Sequence, residues 1–181
     1  MDPIIYLESV SKEFRVYEKR TGKFSMINNL INPISKEINA VENLSFSVNK
    51  GEMVGYVGPN GAGKSTTIKL LTGILLPTNG EILVCGRVPY KNRILNSSQI
   101  GVVFGQKSQL WWDVPVIDSF KLLKEIYNIS NSKFNQNLSI YSEVLGLKDL
   151  LHVPVRQLSL GQRMRCDLAA SLLHDPKILF L

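Results

Sequence analysis

Leu44, Phe46 and Val48 alternate with Asn43, Ser45 and Ser47 along the run Ala40 to Val48. A period of two belongs to a half-buried strand, and Ile4 to Val10 reads as another. Between them lies Glu18 to Asn39, a polar stretch with embedded Phe24, Ile27, Leu30, Ile31 and Ile34. Their three- and four-residue spacing suggests an amphipathic helix, which Pro33 would end. This insertion could lie against a membrane or a partner, or pack its apolar stripe on its own domain. Glu52 to Val57 reads as a buried strand, and Ser65 to Thr72 as a helix stopped by Gly73. Pro77-Thr78-Asn79-Gly80 is a predicted turn, and Glu81 to Cys85 a strand ending at Gly86. Gln99 to Gly105 is a further apolar strand. From Asp118 the pattern turns helical through Phe120, Leu122, Leu123, Ile126 and Tyr127, then Leu138, Tyr141, Val144 and Leu145. Lys177 to Leu181 is again an apolar strand.

The chemistry lies where the pattern changes from strand to helix. Gly58-Pro59-Asn60-Gly61-Ala62-Gly63-Lys64-Ser65 fits the phosphate-loop pattern G-x-x-x-x-G-K-[ST], followed by Thr66. Glycines let the backbone approach a phosphate closely, and successive N–H groups can then form an anion-binding nest. The start of the following helix adds its positive end at the same place. Lys64 would supply a full charge to the β- and γ-phosphates, and the Ser65 hydroxyl is the expected Mg²⁺ ligand. The expected ligands are therefore ATP and Mg²⁺.

Composition bounds the reading without choosing it. The chain has 181 residues, 44% hydrophobic and 20% charged, as in an ordinary globular domain. No apolar run approaches the ~18 residues needed to span a membrane, and Met1-Asp2-Pro3 lacks the basic start of a signal peptide. Cys85 and Cys166 have no metal-binding spacing and read as reduced structural thiols. The net charge of +6 is compatible with nucleic acid, an anionic membrane surface or nucleotide as partner.

A second constellation is Leu158-Ser159-Leu160-Gly161-Gln162-Arg163. Ser159 followed by Gln162 predicts a capping box, with Leu160, Met164, Leu168 and Leu172 on one helix face behind it. An open helix start with a hydroxyl and a glycine is also a good second phosphate site. Set beside the phosphate loop, Leu158 to Gln162 resembles the signature sequence of ABC-type ATPases. Gln106, leaving an apolar strand between the two motifs, is similar to the Q-loop glutamine of that family, which reaches Mg²⁺ and the attacking water.

The resemblance covers nearly the whole chain. It implies an α/β fold, a P-loop NTPase core with an antiparallel β subdomain and an α-helical subdomain. The implied division is 1–105 for the ATP-binding core (with the 18–39 insertion), 106–158 for the helical subdomain, and 159–181 returning to the core. Phe14, after Val10-Ser11-Lys12-Glu13, matches the aromatic residue that stacks on adenine, or is an ordinary core or surface aromatic. The implied nucleotide-binding set is Phe14, Gly58, Asn60, Gly61, Ala62, Gly63, Lys64, Ser65, Thr66, Gln106, Ser159, Gly161 and Gln162. Lys64 and Gln106 would be catalytic, and Ser65 and Gln106 would hold the metal. The run Gly101 to Asp113 is similar to that of ATP-binding subunits of ABC-2-type exporters. Trp111 and Trp112 would then face a transmembrane partner, or be buried, and the two readings are compatible.

Lys177 to Leu181 resembles the Walker B strand, but the sequence stops before the family's acidic pair, D-loop and switch histidine. His152 and His174 match neither position and read as surface residues. The chain as written is therefore expected to be a fragment that hydrolyses ATP poorly, since general-base catalysis is worth roughly 10²–10⁴ in rate. The implied function is the ATP-binding subunit of an ABC transporter at the cytoplasmic face of the membrane, working with a transmembrane permease subunit. Two such subunits, identical or different, would sandwich ATP. Alternatives are a nucleotide-binding module without turnover, or a soluble relative acting on nucleic acid or ribosomes. The latter usually carry a coiled coil or two cassettes, which this chain lacks, so no nucleic acid is expected.

Overall fold

The computed structural model describes residues 3–18, 34–103 and 108–181. The chain divides into two compact units, Met1–Asn96 and Ser97–Leu181.

The first unit is an antiparallel sheet in the order β2-β1-β3, with β1 at Ile5–Glu18, β2 at Ile34–Val48 and β3 at Asn79–Val84. Ile5 pairs with Val48 on one side and Val84 on the other, and Leu7 with Phe46 and Ile82. Ile5, Leu7, Ile82 and Val84 are buried together with Val10 and Val41. Pairing register decides which residues share the inward face, and here it gathers the β-branched and leucine side chains. Helix α1 (Lys64–Leu71) runs against β2 and β3 and buries Thr67, Leu70 and Leu71.

The ladder is interrupted between Leu7 and Val10, where Ser9 has φ 49° and Asn43 has φ 44°. Side chains take over the freed donors there. The Ser9 N–H donates to Ser45 Oγ at 2.8 Å, and the Asn43 N–H to Ser11 Oγ at 3.0 Å. Such bulges bend a strand pair. β3 pairs with β1 only as far as Ser11, while β1 and β2 continue to Glu18 and Ile34.

Three expectations for this unit are corrected. Ile34, counted in the expected helical stripe, instead opens β2, because Ile34 to Asn39 pairs with Glu13 to Glu18 of β1. The other apolar residues of the expected helix, Phe24, Ile27, Leu30 and Ile31, lie outside the described residues. Asn79 and Gly80 belong to β3 and not to a turn, since Asn79 pairs with Ser11. Glu52 to Val57 is irregular, and Met53, Val54 and Val57 are exposed. An extended run becomes a strand only when a neighbour takes up its N–H and C=O groups. Among the described residues no strand pairs with 52–57.

The second unit holds a parallel pair, β4 (Ile100–Val102) and β5 (Ile178–Phe180), shorter than the apolar runs predicted there. A short helix α2 (Arg93–Ser97) precedes β4. Helices α3 (Val116–Ile126), α4 (Asn131–Val144) and α5 (Leu160–Leu172) surround a core that includes Phe120, Leu123, Phe134, Leu147, Ala169, Ala170 and Leu173. The stripe Leu160, Met164, Leu168, Leu172 does lie on one face of α5, but Leu160 and Met164 are exposed. The buried face is instead Cys166, Ala169 and Ala170, whose small side chains allow close packing. Burial pushes the Cys166 thiol up to about 11, so it is inert at neutral pH. Trp111 and Trp112 are 41% and 53% exposed, so they are not buried core residues.

His174 is not a surface residue. Its ring stacks on Tyr127 with centroids 4.0 Å apart and planes 6° apart, and Nε2 lies 2.9 Å from the Ile100 carbonyl oxygen. A carbonyl only accepts, so Nε2 carries the proton of the neutral ring. Nδ1 is buried with no hydrogen-bond partner among the described residues. Burial lowers the His174 pKa, opposed by the Ile100 carbonyl and the Asp175 carboxylate. Asp175 is itself paired with Lys133 at 3.0 Å. Below about pH 6.5 the unfolded chain binds a proton that the folded chain resists, so stability falls as pH drops from neutral towards 5. Thermal melts across that window should show a shallower loss in His174→Gln; equal slopes in both proteins would contradict this account.

Candidate nucleotide-binding site

The phosphate loop leads from the irregular segment 52–57 directly into α1. Gly61 and Gly63 have φ of 86° and 82°, the left-handed region that side chains disfavour. Gly63 is also confined: a Cβ there would run into the Ala40 carbonyl oxygen of β2. Beside Gly61 no atom of the described residues lies within 4 Å of a Cβ position. Gly58, Pro59, Asn60, Gly61 and Ala62 are all exposed. The Ala62 N–H donates to the Pro59 carbonyl at 3.2 Å and closes the turn.

Gly63 is the N-cap of α1 and has no side chain with which to cap it. The first turn contains no acidic residue. Its leading N–H groups and positive dipole end are thus left for an anion, which a carboxylate at that position would repel. Lys64 stands at the first helical position. Its Nζ donates to the Gly58 carbonyl and, at 2.8 Å, to the Pro59 carbonyl, so the ammonium bridges across the loop. Ser65 is exposed and Thr66 half-buried beside it. This donor set fits a polyphosphate, and the Ser65 hydroxyl fits a hard cation such as Mg²⁺.

Sequence reasoning missed Thr67. It is fully buried, and its Oγ1 donates to the Gly63 carbonyl at 3.1 Å and lies 3.3 Å from the Tyr56 hydroxyl. It ties the approach to the loop onto the helix. The signal was present in the three consecutive hydroxyl residues Ser65, Thr66 and Thr67, of which the helical period turns one inward.

The second motif lies in the second unit. Ser159 caps α5: its Oγ accepts from the Gln162 N–H at 3.3 Å, and Gln162 Oε1 accepts from the Ser159 N–H at 2.8 Å. This is the capping box that the sequence predicts. Ser159 and Gly161 are exposed, and among the described residues nothing lies within 4 Å of a Cβ position at Gly161. Gln106 lies outside the described residues. Phe14 is half-exposed on the two-stranded extension of β1 and β2, opposite Ile38, with Lys12 Nζ 5.2 Å from its ring centroid.

Comparison with known proteins identifies the family and the fold. The family described as ABC transporter matches residues 41–181. The probable multidrug ABC transporter ATP-binding protein YbhF of Escherichia coli (strain K12) is 37% identical over 142 residues, 78% of this chain and 24% of YbhF. The methionine import ATP-binding protein MetN of Geobacillus kaustophilus is 35% identical over 146 residues, 78% of this chain and 42% of MetN. The chain thus spans less than half the length of these relatives. Among solved structures, the dimeric ATP-binding cassette MJ0796 in a post-hydrolysis state bound to ADP and Pi superposes with a TM-score of 0.74. That match has 23% identity and covers 97% of this chain and 72% of the other, so the fold is shared.

Proposed function

This chain belongs to the ABC transporter family, and on that premise we propose that it is the ATP-binding part of a transporter subunit that couples ATP binding and hydrolysis to transport. The observation that carries the reading is the uncapped start of α1, where Gly63, Lys64 and Ser65 meet beneath an exposed glycine loop. Gly58, Asn60, Gly61, Ala62 and Gly63 would offer backbone N–H groups to the phosphates, and Lys64 would stabilise charge on the β- and γ-phosphates. Thr66, beside Ser65, belongs to the same phosphate-binding start of α1. Mg²⁺, when bound, neutralises phosphate charge; the Ser65 hydroxyl and Gln106 would hold it. Phe14 would pack on the base.

The start of α5, with Ser159 and Gly161 exposed and Gln162 half-buried, would contact the nucleotide held by a second subunit. A γ-phosphate gripped from both sides makes association depend on the nucleotide state. Among the described residues no helix is long and apolar enough to cross a membrane. On this reading the ATP-binding part works at the cytoplasmic face of the membrane, and a transmembrane permease carries the cargo. Export is the proposed direction, on the likeness of Gly101 to Asp113 to exporter subunits. The test is mass in solution with Mg–ATP against Mg–ADP, by sedimentation at saturating nucleotide. ATP should drive dimer formation and ADP should not. Tight ATP binding by a chain that stays monomeric would remove the sandwich and leave a simple nucleotide-binding module.

A further inference from the structure

The segment that follows Gln106 in the chain is gripped by α5 through two side chains one turn apart. Asp167 is buried on that helix. Its Oδ1 accepts from the Ser108 hydroxyl and from the Gln109 backbone N–H, each at 2.9 Å. Ser108 Oγ accepts in turn from the Leu110 N–H at 3.1 Å. The Gln109 side chain extends the connection, donating from Nε2 to the Val102 carbonyl of β4 at 2.6 Å. One turn earlier on α5, the Arg163 guanidinium lies 5.3 Å from the Trp112 ring centroid. Residues 108–112 are thus held at both ends by one helix, and at one end by β4 as well.

A buried carboxylate is a costly way to accept two hydrogen bonds. Burial raises the Asp167 pKa, opposed by the Gln109 N–H and the Ser108 hydroxyl. The other residues buried on this part of α5 include Cys166, Ala169 and Ala170, so apolar packing alone does not call for a carboxylate here. What Asp167 does supply is a fixed, two-pronged attachment of Ser108 and Gln109 to the helix that begins at Ser159.

We infer that Asp167 is a positioning residue: it fastens the segment directly after Gln106 to α5, so that this segment and the Ser159–Gln162 helix start move as one piece during the nucleotide cycle. This rests on reading Gln106 and the start of α5 as nucleotide-facing groups. Both hydrogen bonds converge on one buried oxygen, Oδ1, so the attachment is fixed at a single point on α5. Asp167 touches no substrate in this scheme and acts only through the groups it holds.

The test uses the complete subunit, measuring ATP hydrolysis and amide hydrogen exchange. Asp167→Ala should lower kcat by roughly 10²-fold, the size of effect a small misplacement produces. KM for ATP should stay within about twofold, because the phosphate loop is untouched. Asp167→Asn keeps an oxygen acceptor at the same place and should recover most of the rate. The Gln109 amide should exchange faster in Asp167→Ala and stay protected in Asp167→Asn. Ser108→Ala, at an exposed position, serves if Asp167→Ala does not fold, with a drop in kcat of roughly tenfold at unchanged KM. The inference is overturned by wild-type kcat in Asp167→Ala, by a fall in kcat with the Gln109 amide still protected, or by an Asp167→Asn variant as impaired as the alanine one. A wild-type subunit that does not hydrolyse ATP would instead bring down the underlying function. An active wild type with an unaffected Asp167→Ala would bring down this inference alone.

Discussion

Lys64→Ala is expected to weaken Mg–ATP binding by roughly 10- to 100-fold, the equivalent of losing one charge-assisted hydrogen bond of about 1.5–3 kcal/mol. The ammonium already sits across the loop, donating to the Gly58 and Pro59 carbonyls. Bound phosphate would draw those donors from neutral carbonyls to anionic oxygens, which accept roughly twice as strongly. The alanine variant loses the phosphate contact together with the bridge that orders the loop. Its fold should survive, because Lys64 contributes nothing to the buried set Thr67, Leu70 and Leu71 of α1. Titration calorimetry with Mg–ATP, alongside a thermal melt, checks both halves. Wild-type affinity in the variant would remove Lys64 from the site.

Gly63→Ala should be more damaging to the fold than to any single contact. A residue with a Cβ at φ 82° costs about 1–2 kcal/mol in backbone strain alone. The added methyl would also meet the Ala40 carbonyl, and Val41 Cγ2 at 3.2 Å, so β2 or α1 must move. Together these should cost about 3 kcal/mol or more in unfolding free energy and distort the start of α1, abolishing tight ATP binding. Gly51 supplies the control. It has φ 84° but open space around it, so Gly51→Ala carries strain without collision and should cost only about 1 kcal/mol. Denaturant midpoints of the two variants separate the contributions. Equal destabilisation at Gly51 and Gly63 would mean that the close approach to Ala40 has no energetic consequence.

The features legible in the chain are those governed by neighbours a few positions away. The capping box at Ser159 and Gln162, the start of α1 after Gly63 and the apolar rhythm of α3 and α4 all depend on contacts within a turn of helix. Such interactions repeat wherever the same short string occurs, so composition and spacing report them. The phosphate loop is legible for the same reason: its donors are consecutive backbone amides and its charge is adjacent to them.

Long-range pairing decided the rest. Met53 to Val57 has the apolar content of a strand, but a ladder needs a second strand, and none pairs with it among the described residues. Ile34 continues the three- and four-residue spacing of Ile27, Leu30 and Ile31, yet pairing of Ile34 to Asn39 with Glu13 to Glu18 made it strand. His174 became half-buried because Tyr127 and Ile100 converge on it from 47 and 74 positions earlier in the chain. Asp167 drew its meaning from Ser108 and Gln109, separated from it by 59 and 58 positions. Local strings fix dihedral preference and the chemistry a side chain can perform. Which groups lose their water, and which distant donor meets a buried acceptor, is settled only when the chain closes on itself.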